Sequence, residues 1–197
     1  MGGYTMRHRL EMSVSARAAL WDLASGPRPD AFRTVMRRIV GGVAVVGTLR
    51  EERPWGMTVS AYTPVCMEPP TLLVCINAKT VTAADIERDR KFSLNLLSEA
   101  QAGLSQRCAQ PGASKYLDGY VVPADELPVP SFTPVLREAI ATFDCDASEI
   151  RRIGTHVVVI GAIRTILAPT SLRPLLYGQG RYLKTVALDL ASAGASA

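Results

Sequence analysis

The residues of this chain best suited to hold a ligand lie where strands pass into loops and helices. Along Gly56–Pro70 the sequence reads as a strand opening into a loop. Thr58 and Ser60 share one strand parity and set their hydroxyls on one side, while Met57 and Val59 point to the other. Pro64 and the Pro69-Pro70 pair stiffen the exit, fixing φ and removing donors. The same composition would also serve a plain surface β-loop, since Thr and Ser favour strands and turns. A second polar place, Asn77 to Thr82, sits at the end of the next strand. Unpaired amides at a helix start attract anions, and Lys79, Thr80 and Thr82 would complete a phosphate cradle. The plainer reading is a simple N-cap with a solvated lysine. Both polar ends can meet at one rim, which points to a nucleotide-like ligand.

Two further places carry usable groups. His156 is one of only two histidines and opens a long strand in Gly154-Thr155-His156; the alternative is a structural histidine at a strand end. His8 falls in the N-terminal tail. Near the C-terminus, Tyr177, Gly180, Arg181 and Tyr182 set glycine and an arginine between two tyrosines, and the arginine suits a phosphate or carboxylate. The alternative is a hairpin with aromatic flanks. No G-x-S-x-G and no Cys-His spacing of a nucleophile and its base is present, so a bound cofactor would carry any reaction.

Composition narrows the classes. At 197 residues and 48% hydrophobic, the chain fits one globular domain with a real core. The four cysteines are scattered with no C-x-x-C pair, which excludes a zinc knuckle or a disulfide framework and reads as reduced thiols; no metal is expected. Net charge is only +4 and the arginines are dispersed, so nucleic acid is poorly matched, whereas phosphorylated small molecules are not. No apolar run is long enough to span a bilayer and the start lacks a signal-peptide core, so the expected location is the cytoplasm, with no membrane partner.

The elements that must position these residues follow from periodicity. A tail over 1–14 precedes a short helix around Ser15 to Ser25; Asp30 then caps a helix with Phe32, Val35, Met36, Ile39 and Val40 on one face, stopped by Gly41-Gly42. Strands are expected at Val43 to Leu49, Trp55 to Tyr62, Thr71 to Asn77, Phe92 to Leu97, Ala139 to Ser148, Thr155 to Leu167 and around Leu175 to Leu183. Helices are expected at Ala83 to Arg90, with Thr80 or Thr82 as N-cap, and at Glu99 to Gln110. The proline-rich 111–134 reads as a long excursion outside the core, of a length that usually serves a site. Many strands without βαβ alternation, and no G-x-G-x-x-G, predict a mainly β protein: a closed antiparallel barrel with peripheral helices. The expected division is 1–29 as tail and short helix, 30–186 as the barrel domain and 187–197 as a C-terminal tail.

The ordered set Gly42-Val43-Ala44-Val45-Val46, G-M-T-V-S-A-Y-T-P-V-C-M-E-P-P, L-L-V-C-I-N with Thr80 and Thr82, F-S-L-N-L-L, F-D-C, G-T-H-V-V-V-I-G and P-L-L-Y-G-Q-G-R-Y resembles the flavin reductase family, from about Asp30 to Lys184. The resemblance implies an FMN-binding split barrel, usually a homodimer, that passes hydride from NADH or NADPH to FMN or FAD and releases reduced flavin to a partner monooxygenase. It implies that Met57, Thr58, Val59, Ser60, Ala61, Pro64, Val65 and Cys66 line the isoalloxazine, largely through backbone groups. It implies that Asn77, Ala78, Lys79, Thr80 and Thr82 hold the ribityl and phosphate part, with Lys115 and Tyr116 at the outer nucleotide. His156, with Tyr177, Gly180, Arg181 and Tyr182, then falls on the nicotinamide side, where His156 orients the nucleotide. The pattern departs at Ala61, Pro64 and Cys66, where the family commonly has serines, at Ala78-Lys79, which replace an arginine-serine pair, and at Thr155, which replaces an aspartate. A barrel that retains its flavin as an oxidase or monooxygenase, or one that only carries or senses flavin, is the competing reading.

Overall fold

The computed structural model describes residues 27–169 and 172–187. The helix expected at Ser15 to Ser25 and the tails at both ends lie outside them. Contacts divide the chain into two units, 1–39 and 40–197. In the first, α1 (Pro29–Met36) begins with Pro29 in its first turn, where a missing N–H costs nothing, and Arg28 rather than Asp30 is the N-cap. Phe32, Val35 and Met36 share a helical face and all three are exposed.

In the second unit, two antiparallel sheets form. The larger has seven strands: β2 (Ala44–Arg50), β3 (Arg53–Val59), β4 (Tyr62–Met67), β5 (Pro70–Asn77), β6 (Lys91–Leu96), β7 (Ala141–Ile153) and β8 (His156–Leu167). Their spatial order is β3-β2-β6-β7-β8-β5-β4. The protein is thus mainly β with a few helices, as expected, but the ladder leaves β3 and β4 as edges instead of closing a ring. Those two edges are consecutive in the chain and joined only through Ser60 and Ala61.

Gly41-Gly42 does not stop a helix; it is a strand, β1 (Gly41–Gly42), in the smaller sheet with β9 (Leu176–Gly178) and β10 (Arg181–Leu183). Gly41 pairs with Tyr177 and Gly42 with Leu176, a partnership far along the chain that no local pattern signals. The stretch after Ser60 also differs from the expected loop. It is the edge strand β4, with Pro64 where an edge tolerates a missing donor.

Strand alternation builds two cores. Ala44 and Val46 join Met57, Val59, Leu72, Val74, Ile76, Phe92, Leu94, Val157 and Val159 in one buried cluster. Val43 and Val45, of opposite parity, pack with Leu97, Leu104, Cys108, Leu117, Leu136 and Leu175 in a second. Two helices cover the strands: α2 (Val81–Asp89) between β5 and β6, and α3 (Ala102–Ala109) after β6. The proline-rich excursion is more deeply committed than expected, because Leu117 is fully buried. Its far end is pinned by Asn95, whose Oδ1 accepts from Leu136 N at 2.9 Å and Thr142 Oγ1 at 2.8 Å. The Asn95 amide nitrogen donates to Ser93 Oγ at 3.0 Å and to Pro134 O at 3.2 Å. A buried amide so fully matched fixes the register of everything it touches.

Candidate functional site

Helix α2 starts where β5 ends, and a self-tied turn sets the junction. Asn77 Oδ1 accepts from Lys79 N at 2.9 Å, and the Asn77 carbonyl accepts from Thr80 Oγ1 at 2.8 Å. Thr80 Oγ1 in turn accepts from Ala83 N at 3.3 Å, so Thr80, not Thr82, is the N-cap. Thr82 is buried at 1% exposure. The β7–β8 hairpin lies alongside: Asn77 pairs with His156 in the ladder, and Ala78 N donates to Thr155 O at 3.0 Å. His156 itself is exposed, with Nδ1 2.9 Å from Thr155 Oγ1.

On the other side, residues 115–117 strap across β3. Gly56 N donates to Lys115 O at 3.0 Å, and Leu117 N donates to Pro54 O at 2.8 Å. Gly56 is what admits the strap, since a Cβ there would stand 2.8 Å from Leu117 Cδ1. Arg107 of α3 donates from Nη2 to the Tyr116 carbonyl and anchors the strap from below. Tyr116 turns away to Trp55, edge to face at 5.0 Å between ring centroids, with the Arg53 guanidinium 4.0 Å from its own ring centroid. Arg53 also pairs with Asp118 at 2.7 Å, and that hydrogen bond holds the Asp118 carboxyl below its usual range.

These elements frame two adjoining cavities. One, of about 420 Å³, is lined by Met57 to Ala61, Asn77, Thr80, Lys115 and His156, with Cys75, Ile76, Cys108, Ala109 and Pro111. The other, of about 670 Å³, is lined by Tyr177, Gly180, Arg181 and Tyr182 together with Ser105, Gln106, Ala109, Gln110 and Pro111. Thr58, Val59 and Ser60 line both, so the end of β3 is a shared wall. The Thr58 hydroxyl is engaged, donating to Ser105 O at 2.7 Å, whereas Ser60 is exposed.

The structure therefore brings together most of the residues singled out in the sequence. It groups His156 with Asn77, Thr80 and Lys115, apart from the tyrosine hairpin. Pro64, Val65 and Cys66 on β4, Ala78 and Lys79 in the turn, buried Thr82, and Tyr116 line neither cavity. The sequence reading missed the α3 wall. Ser105 and Ala109, like Gln106 and Gln110, are four apart and share a helical face, a spacing that was available as a signal.

The chemistry open to these groups is limited. Burial pushes the Cys108 thiol above its ordinary pKa, so it stays protonated at neutral pH and is no nucleophile. Among the described residues no cluster of His, Cys, Asp or Glu could hold a metal ion, and no helix is long and apolar enough to cross a membrane. What remains is a binding and orienting surface: Thr80 at the start of α2, Lys115, Arg181, His156 and apolar side chains.

Comparison with known proteins agrees. Residues 36–185 match the model of the flavin reductase like domain. The reductase component of a 4-nitrophenol 4-monooxygenase/4-nitrocatechol 2-monooxygenase from Rhodococcus opacus is 36% identical over 151 residues, covering 77% of this chain and 78% of that one. The reductase component of an FADH(2)-dependent resorcinol hydroxylase from a Rhizobium species is 33% identical over 173 residues, covering 86% and 94%. The NADH:FAD oxidoreductase of Streptomyces globisporus C-1027 superposes with a TM-score of 0.73 over 85% of this chain and 99% of that one, at 21% identity, a likeness of fold. With the family model matched over most of this chain and relatives above 30% identity covered over most of their length, the chain belongs to the flavin reductase-like family.

Proposed function

We propose that this flavin reductase oxidises NADH or NADPH, reduces FMN or FAD taken up from solution, and releases the product to a partner monooxygenase, in the cytoplasm. The observation that carries the mechanism is the pair of adjoining cavities with the end of β3 as their common wall. Bound flavin would supply the ring that accepts hydride at N5 from nicotinamide C4. The residues present fit such a nucleotide. The smaller cavity offers Thr80 and the start of α2 for a phosphate, Lys115 for its charge, and backbone groups of Ser60 and Ala61 for a ring edge. The larger offers Tyr177 and Tyr182 for stacking and Arg181 for a second phosphate. Both cavities open at the surface, which supports exchange of the nucleotide over retention. The protein's contribution is alignment, since hydride transfer between stacked rings needs approach and orientation more than acid or base.

In this reading the seven strands curl into a split barrel, because a two-residue link between its edge strands draws the two ends of the sheet together. A second copy is proposed to pack on β4, where Val65 and Met67 are 53% and 78% exposed on an edge strand. Light scattering should then give a mass near twice the 21.2 kDa of one chain; a monomer at micromolar concentration would refute the pairing. The function itself is tested by mixing purified protein with NADH or NADPH and free FMN or FAD. Flavin-dependent loss of absorbance at the reduced-nicotinamide band is expected with at least one pair, and none with any pair would reject the activity.

A further inference from the structure

The larger cavity has a wall on each side and one side-chain hydrogen bond that ties them. Tyr182 of β10 donates from its hydroxyl to Ser105 Oγ at 2.9 Å, and the carbonyl of the same Ser105 accepts from Thr58 Oγ1 of β3 at 2.7 Å. Ser105 is fully buried, and Ser105, Thr58 and Tyr182 all line this cavity. The hairpin β9–β10 also pairs with β1 at two positions, its entry is tied by Val43 N to Leu175 O at 3.0 Å and Leu175 N to Leu97 O at 2.9 Å, and Tyr182 carries Tyr177, its ring edge-on at 5.4 Å. Moving Tyr182 therefore moves Tyr177 and the rim that bears Gly180 and Arg181. The entry to β9 is fixed by backbone bonds, whereas β10 is the edge of its sheet, where Tyr182 packs on the second core and its hydroxyl adds the tie to Ser105.

We infer that Ser105 is a positioning residue for the reductase reaction: it fixes the β9–β10 hairpin against the end of β3, so that the tyrosine wall stands at stacking distance from whatever occupies the shared wall. In this role Ser105 acts through Tyr182. The inference rests on the reductase reading for its kinetic part and on the geometry alone for its structural part.

The test uses the full chain with Ser105→Ala, Tyr182→Phe, the double variant, and Ser105→Thr, which keeps the hydroxyl. Amide hydrogen exchange of residues 176–183 should quicken about three- to tenfold in Ser105→Ala and Tyr182→Phe, the factor expected for loss of one buried hydrogen bond. The same two variants should raise the KM for the nicotinamide nucleotide by a similar factor, with the flavin KM and kcat moved less than about twofold. The double variant should be no worse than either single, and Ser105→Thr should restore most of the effect. Unchanged exchange in the hairpin would overturn the coupling. Faster exchange with an unchanged nucleotide KM would overturn the positioning role. If the unaltered protein oxidises no nucleotide in the presence of flavin, the reductase reading fails instead, and the exchange measurement still decides whether Ser105 holds the hairpin. A melting temperature followed for every variant separates these effects from general loss of fold.

Discussion

At the residue scale, the sequence singles out Asn77, Thr80 and His156 one by one, and the fold decides that they meet. Asn77, Thr80 and His156 converge because a ladder pair and a turn place them side by side. The family resemblance implies that His156 stands with the C-terminal tyrosines on the nicotinamide side. In the structure it lines the cavity of Asn77, Thr80 and Lys115. His156→Ala is therefore expected to raise the flavin KM about three- to tenfold, and the nucleotide KM by less, in steady-state kinetics with each substrate varied in turn. The reverse split would return His156 to the nicotinamide side. The spacing of Ser105 and Ala109 marks a helix face, but not the partner of the Ser105 hydroxyl: a serine inside a helix carries no sign that it receives a tyrosine from a hairpin 77 residues away.

Among the elements, those with strong periodicity were legible: β2, β3, β5, β6, β7, β8 and α2 fall where alternation or capping placed them. The failures share one cause, a partner distant in sequence. Gly41-Gly42 carries the chemistry of a helix stop, yet β9 recruits it into a sheet. β4 reads as a loop because of Pro64, yet β5 pairs with it as an edge. The β2–β3 hairpin carries strain in its turn that composition does not signal. Its two-residue turn is Glu51-Glu52, with φ of 52° and 59°, in a conformation that favours Asn and Gly. Replacing both, Glu51→Asn with Glu52→Gly, should stabilise the fold by about 0.5–1 kcal/mol, read as a rise in the urea midpoint at constant slope. Since Arg50 to Arg53 lie at the hairpin tip away from the shared wall, the flavin KM should hold.

For the whole molecule, the fold class was legible because seven strands without βαβ alternation leave few architectures, whereas ring closure was not, since only the ladder shows which strands are edges. The buried thiols set an alkaline limit on stability. Burial pushes Cys145 up to about 12 from 9.0, with Asp144 and Asp146 adding to the effect. Between those values the unfolded thiol ionises and the folded one does not, so the folded state binds the extra proton and stability falls as pH rises. The loss from Cys145 reaches about 1.4 kcal/mol per pH unit at most. Urea unfolding of Cys145→Ala at intervals from pH 8 to 11 should show a shallower decline than the unaltered protein; Cys108 and Tyr62, raised in the same direction by burial, remain in both. A parallel decline would exclude Cys145 as a source. Finally, Thr58 to Ser60 face two cavities at once, and a wall so shared cannot answer to one occupant without informing the other. In the proposed reading, with one nucleotide in each cavity, binding at the two sites is open to linkage: whatever factor the nicotinamide nucleotide imposes on flavin affinity, flavin must impose on the nucleotide. Because reduction changes the flavin's charge and shape, the same linkage lets the oxidised nucleotide favour one redox form over the other, and so bias when the product departs.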